Sequence, residues 1–235
     1  MHAGAELTRA RGRLPSSAHY ARPWRIHQLA RDFHLEDVWA LPAEGTRDEF
    51  PRLVHAIAAE DPADGGGDAS ARAARALWWI RLKLGEVLGL DDPDSGVGAR
   101  VPTLRERLPE DLLGRPAGPD LGSSPAFTSV YLLGDEWAAE LANRTVHGVL
   151  HLGWVPVAGD EDGGASDAGD GDEGASFDRT AARYRGQLAI LVKPNGLGGR
   201  AYMAAIRPFR HLIVYPAMLR RIERAWAGAA GENSR

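Results

Sequence analysis

The chain has 235 residues, 44% of them hydrophobic and 26% charged, values that fit a soluble globular protein with a real core and room for one domain carrying insertions. It contains no cysteine, which excludes disulfides, thiolate nucleophiles and cysteine-ligated metals, and its formal net charge of −4 argues against a general nucleic-acid binder. No run approaches the roughly 20 uninterrupted apolar residues of a membrane helix, and the opening MHAGAELTRARGRLPSSAHYARP lacks the apolar region of a secretory signal, so a cytoplasmic protein without a membrane span or a nucleic-acid partner is expected.

Residues 1–23 read as a flexible leader, and 24–228 as one folded unit. Trp24 to Phe33 alternates moderately and predicts a first strand, and HLEDVWAL after it predicts a short helix. In TRDEFPRLVHAIAAE (46–60), Thr46 stands where a cap belongs and Glu49 follows three residues later, the capping-box pattern. Phe50, Leu53, Val54 and Ile57 then share one helical face. After a polar break at 60–70, SARAARALWWIRLKLGEVLGL (70–90) predicts a helix with Leu77, Ile80, Leu84 and Leu88 as its core stripe. Residues 101–122 are rich in proline and glycine and leave room for short helical turns only.

Strand signals then follow one another: FTSVYLL (127–133), EWAAELA, TVHGVLHLGWVPV (145–157) and ARYRGQLAILV (182–192). Between the last two lies AGDEDGGASDAGDGDEGASFDRT (158–180), acidic and nearly devoid of bulky apolar residues, which predicts a disordered insertion at a hairpin tip. KPNGLGG (193–199) lacks the lysine and hydroxyl of a phosphate loop, and no βαβ unit surrounds it; it reads as a corner built on glycine's freedom at positive φ. The segment from Arg200 to Trp226 is helical in pattern, with Pro208 and Pro216 kinking it, and 229–235 forms a disordered tail. The order predicts an α+β fold, a curved antiparallel sheet with a long C-terminal helix laid along its open face and a ligand cavity between them.

Strand alternation places His147 and His151 on one face, about 14 Å apart along the chain. That is too far for one metal, and no third ligand is visible, so no metal and no cofactor is expected. Each histidine is a candidate hydrogen-bonding or proton-transfer group lining a cavity. Val146, Gly148, Leu150, Leu152 and Trp154 form the opposite, apolar set that meets the helical layer or lines the cavity. Trp137, Tyr131 and Tyr184 on neighbouring strands complete an aromatic wall, of which Trp137 and Tyr184 are ligand candidates. On the terminal helix, Arg207, Arg210 and His211 interrupt an apolar band that includes Tyr202, Ile206 and Leu219, with Tyr215 beside them. A buried Arg207 or Arg210 needs an acid such as Glu136 or Glu140, or a ligand's anionic group. The adjacent carboxylates Asp135 and Glu136 fall in a predicted turn and read as solvated, and no G-x-S-x-G elbow is present for a serine nucleophile.

The stretches EWAAELANRTVHGVLHLGWV and YRGQLAILVKPNGLGGRAYMAAIRPFRHLIVYPAMLRRI, with LEDVWALP and ALWWIRLKLGEVLGLDDP upstream, resemble an uncharacterised bacterial family known by a domain-of-unknown-function label. That family looks related to the START and polyketide-cyclase (SRPBCC, Bet v 1-like) superfamily. The resemblance implies a helix-grip fold, a curved antiparallel sheet wrapped around a long C-terminal helix. It does not fix the chemistry. Three expectations follow. The first is binding of a hydrophobic or partly anionic small molecule between sheet and C-terminal helix, lined by residues drawn from Trp137, His147, His151, Tyr184, Arg207, Arg210, His211 and Tyr215. The second is a cyclase or isomerase with a cavity histidine as general base. The third is a non-enzymatic partner domain docking on a dehydrogenase-like protein, with a filled core and an exposed apolar patch.

Overall fold

The computed structural model describes residues 12–59, 96–98, 100–121, 127–157 and 183–232. The helix expected at 70–90 and the acidic stretch 158–180 lie outside the described residues. In chain order the described elements begin with β1 (Gly12–Leu14), α1 (Ser16–Tyr20), α2 (Ile26–Leu29) and β2 (His34–Gly45). A 3-10 turn (Arg47–Glu49) leads into α3 (Phe50–Ala59), and a second 3-10 turn (Leu104–Arg107) precedes the remaining strands. These are β3 (Thr128–Leu132), β4 (Glu136–Ala142), β5 (Val146–Pro156) and β6 (Tyr184–Pro194). The chain continues as α4 (Gly196–Phe209), a π turn (Arg210–Val214) and α5 (Tyr215–Glu232). The fold is α+β.

All six strands join one antiparallel sheet in the order β1-β2-β6-β5-β4-β3. Both faces are covered. On one, Val38, Ala40, Ala138, Val149, Ala189 and Leu191 pack beneath Trp24, Ile26, Leu29, Phe33, Leu104 and Leu112 from the N-terminal helices and the 100–121 region. On the other, Leu41, Trp137, Leu150, Leu152, Trp154 and Leu188 meet Phe50, Leu53 and Val54 of α3 and Ile222 of α5. The described apolar side chains of this second face pack as one cluster that takes in Ile222 of α5.

Two assignments from the sequence are exchanged. Trp24–Phe33 contains helix α2 rather than a strand, and HLEDVWAL opens the longest strand, β2, rather than a helix. The reason lies in the two-sided burial. In VWALPA, Val38 and Ala40 face the N-terminal layer, while Trp39, Leu41 and Ala43 face the C-terminal one. A strand buried on both faces shows a continuous apolar run instead of alternation. The capping reading at 46–49 is realised: the Glu49 side chain accepts from the Thr46 backbone N–H at 2.8 Å, and the chain enters α3 with Phe50, Leu53 and Val54 buried.

The C-terminal helix begins at Gly196, four residues before the predicted start, with Gly196 at φ 63°. Asn195 fixes the corner: its backbone N–H bonds the Thr145 carbonyl at 2.7 Å, and its amide bonds the carbonyls of Asn143 and Arg144. Gly199 packs so closely that a Cβ there collides with the Thr145 carbonyl, whereas Gly198 faces open space. Gly199→Ala is therefore expected to destabilise the protein by about 1–3 kcal/mol, while Gly198→Ala leaves it unchanged or up to about 1 kcal/mol more stable. Urea denaturation midpoints of the two variants check this.

Candidate functional site

Strand β4 turns Glu136, Ala138 and Glu140 toward the N-terminal layer, and β5 turns His147, Val149 and His151 the same way. The three-residue turn between the strands sets Ala138 opposite His151 and Ala142 opposite His147. Each histidine then lies diagonal to a glutamate. His151 Nε2 bonds Glu136 at 3.1 Å and His147 Nε2 bonds Glu140 at 2.8 Å, all four side chains being buried. The expectation of a solvated Glu136 is overturned: its residue is 3% exposed. The carboxylate is rescued by donors rather than by water. It accepts from the backbone N–H groups of Arg25 and Ile26, each at 2.9 Å, and from the Tyr131 hydroxyl. Glu140 likewise accepts from the Leu104 N–H at 3.0 Å and the Thr103 hydroxyl, and so anchors the second 3-10 turn.

At Glu136 the chain of contacts continues outward. His151 Nδ1 meets His19 Nε2 at 3.0 Å, and the His19 ring lies 4.8 Å from that of half-buried His27. Burial, with His151 and His27 close by, pushes His19 down to about 2, so its imidazole is neutral. Burial alone raises Glu136, but His151, Tyr131 and the Arg25 N–H outweigh it and hold the carboxyl below its ordinary value. Burial and the adjacent Glu136 raise the Tyr131 phenol.

Residues 22–25, between α1 and α2, form one wall of a groove of about 410 Å³ at the end of the sheet. Arg22, Trp24 and Arg25 line that wall; Arg47, Trp154 and Tyr184 line the other side, with the Leu133–Glu136 turn between. An adjoining depression shares Arg47 and Asp135. Tyr184 stacks on Trp154 with rings 6.5 Å apart and 10° from parallel, and Trp154 is fixed by its Nε1 donating to the Thr46 carbonyl at 2.8 Å. Trp24 lies over Gly153, where a Cβ would come within 2.6 Å of the indole. Arg25 pairs with Asp111. Arg22 and Arg47 form no ion pair with the described residues.

A third cluster lies across the sheet, on β2. Asp37, 1% exposed, accepts from the Tyr215 hydroxyl at 2.7 Å and faces Arg13 at 3.3 Å, His211 at 3.3 Å and Arg210 at 3.5 Å. Arg210 also reaches Glu36 at 3.2 Å. Burial and the Asp37 carboxylate raise the Tyr215 phenol. The π turn (Arg210–Val214) falls between Pro208 and Pro216, neither of which can donate to the helical ladder. Its extra residue per turn allows Arg210, His211 and Tyr215 to converge on one carboxylate.

The eight residues predicted from the sequence therefore occupy separate places. Arg210, His211 and Tyr215 come together at Asp37, and Arg207 is exposed. Arg210 finds Glu36 and Asp37 as its acids, not Glu136 or Glu140. His147 and His151 share the N-terminal face, each with its own glutamate. Trp137 is fully buried on the opposite face with its Nε1 donating to Ser129 Oγ at 3.1 Å, and Tyr184 lines the groove. Sequence reasoning missed His19, Arg22, Trp24 and Arg47. The one available signal was the spacing E-x3-E on β4 followed by H-x3-H on β5, which puts four ionisable groups on one face of a hairpin. Among the described residues no group of three or more His, Asp or Glu is placed to hold a metal ion, and no helix is long and apolar enough to cross a membrane.

A family profile described as "Protein of unknown function (DUF2867)" matches residues 29–217. The chain belongs to this family. No curated protein and no solved structure matches it. The matched span covers β2 through β6, α4 and the π turn, hence both glutamate–histidine pairs and Asp37 with Arg210, His211 and Tyr215, whereas Arg13 and the groove-wall residues Arg22, Trp24 and Arg25 precede it. The buried carboxylate is the feature on which that wall rests. Glu136→Ala is expected to cost about 3 kcal/mol by orphaning two backbone amides and two side chains, while Ala at exposed Asp135 changes stability by no more than about 0.5 kcal/mol; chemical denaturation of both variants measures the contrast.

Proposed function

We propose that the chain binds a small molecule with an apolar, ring-like body and an anionic group, held in the groove at the end of the sheet. What carries this reading is the conjunction of two arginines, Arg22 and Arg47, without an ion-pair partner among the described residues, and in the same lining the half-buried ring of Tyr184, backed by buried Trp154. Aromatic faces accept a planar body, and guanidinium groups pair with carboxylate, sulfonate or phosphate oxygens. The groove's volume of about 410 Å³ falls in the range of small-molecule sites. Exposed Asp135 at the rim offers an acceptor for a ligand N–H or O–H.

Kinship with the START and polyketide-cyclase superfamily and its helix-grip architecture is part of the same proposal. It is supported by the curved antiparallel sheet with a C-terminal helix across one face, and the binding place proposed differs from the sheet-to-helix cavity of that architecture. Binding is preferred to turnover on geometric grounds. A cyclase or isomerase needs a histidine nitrogen facing its substrate, but both ring nitrogens of His151 are engaged, by Glu136 and by His19. The partner-domain reading asks for an apolar patch of several hundred Å². Among the described residues the exposed large apolar side chains are Tyr20, Leu113 and Leu197, on separate segments, and Leu212 and Val214 on the π turn.

Naphthalene-2-sulfonate, an aromatic ring with a permanent anionic group, is a suitable probe. Isothermal titration calorimetry at pH 7.5 is expected to give saturable one-site binding. Arg22→Ala and Arg47→Ala should each weaken it about tenfold, the loss of one charge-assisted contact, and Arg207→Ala, remote on α4, should leave it unchanged. Absence of saturable binding, or undiminished affinity in both groove variants, would refute the proposal.

A further inference from the structure

We infer that the groove opens on acidification, because its Arg22–Arg25 wall is latched to the sheet through an imidazole, that of His19, which has no acceptor for a second proton. The inference rests on the binding site proposed above and adds its regulation.

The wall is held on both sides. On its C-terminal side, Glu136 accepts from the backbone N–H groups of Arg25 and Ile26. On its N-terminal side, His19 of α1 bonds His151, and the Arg22 N–H bonds the His19 carbonyl at 3.1 Å. The direction of these bonds is set by chemistry. An ionised carboxylate only accepts, so His151 must donate from Nε2 to Glu136. With His151 neutral, its Nδ1 is an acceptor, and His19 donates to it from Nε2. That leaves His19 Nδ1 as a bare lone pair, buried and without a hydrogen-bond partner.

A proton taken up by His19 goes to Nδ1. The new N–H meets no acceptor, and the imidazolium sits in a site with no exposure, its ring 4.9 Å from His151 and 4.8 Å from His27. The other groups facing it bring no relief. Tyr20 stacks on His27; Trp24 packs on both His19 and His151; Arg25 brings a cation whose partner, Asp111, is already bound; Tyr131 donates to Glu136. Glu136 is the one carboxylate of the cluster, and its oxygens already accept four hydrogen bonds. His27 is itself shifted down, chiefly by burial, so acid adds charge there too rather than neutralising any.

His19 in the latched state lies far below its free value, so the latched wall binds fewer protons than the released one. The latch is complete above about pH 6.5 and weakens as pH falls through that value, by up to about tenfold in its opening constant per pH unit for one proton.

Naphthalene-2-sulfonate stays anionic throughout the range, so any change in its binding reports on the protein. Its dissociation constant in the full chain is expected to rise between pH 7.5 and pH 5.0, by at most the roughly 30-fold gain that one proton gives the opening constant. In His19→Gln, whose amide keeps the donor to His151 but does not titrate, affinity at pH 7.5 should be retained and the rise much reduced. Hydrogen exchange of residues 16–30 in the unmodified protein, corrected for the intrinsic pH dependence of exchange, should accelerate over the same interval while β5 and β6 stay protected. An affinity independent of pH, or a pH response preserved in His19→Gln, overturns the latch and leaves the binding site standing. If the probe does not bind even at pH 7.5, the binding site is what fails, and the exchange experiment decides the latch alone: unaltered protection of 16–30 at pH 5.0 rejects it. Should His19→Gln not fold, the same exchange measurement decides.

Discussion

Two carboxylates buried under the N-terminal layer hold this structure together. A buried charge is tolerable only when its lone pairs are filled by well-placed donors. Glu136 and Glu140, on one face of β4, meet that condition by drawing in backbone N–H groups from distant segments, Arg25 and Ile26 in one case and Leu104 in the other. In doing so they fix where the covering layer lies. The histidines of β5 supply the remaining donors, and the register of the β4–β5 hairpin makes that possible. Arg107 extends the arrangement: its guanidinium binds the Leu29 carbonyl and Asp32, which Lys193 of β6 also reaches, and these contacts hold Asp32 well below the usual carboxylate range.

The same logic explains why the two faces of the sheet differ. The face toward α3 and α5 is held by apolar contact alone over most of its area, with Trp137, Trp154 and Leu188 at its centre. Its one buried acid among the described residues, Asp37, sits near the edge, where the π turn brings cations to it. Among the described residues the opposite face has little regular helix to offer, since α1 and α2 are a turn or so long. There, directed hydrogen bonds to carboxylates take the place of helix packing.

Much of the strand order was legible. β3 to β6 announce themselves by β-branched and aromatic runs punctuated by Gly-Asp and Asn-Arg turns, and the Asn195–Gly199 corner by its glycines. The 24–45 region was not, because a strand covered on both sides loses the period-two pattern, and because α2 starts where it does to deliver two amides to Glu136, a residue 110 positions away. The site was obscured for the same reason. His19 and His151 are separated by 132 positions, and nothing local in SSAHYARPW identifies its partner. The shared face of His147 and His151 was readable from alternation; that each would be matched with a glutamate required knowing the hairpin's register.

The strand order has a consequence for biosynthesis. β2, made early, finds its main neighbour in β6, with His34 opposite Val192 and Gly45 opposite Tyr184. Until the ribosome has delivered β6, the nascent β2 has, among the described strands, only the three residues of β1 to pair with, and α5, which packs on it in the finished fold, is not yet made. Such a strand is prone to wrong partners while it waits. Closure of the sheet is thus a late, long-range event on which both layers depend, and the protein's yield in a cell should be more sensitive to chaperone capacity during synthesis than its finished stability would suggest.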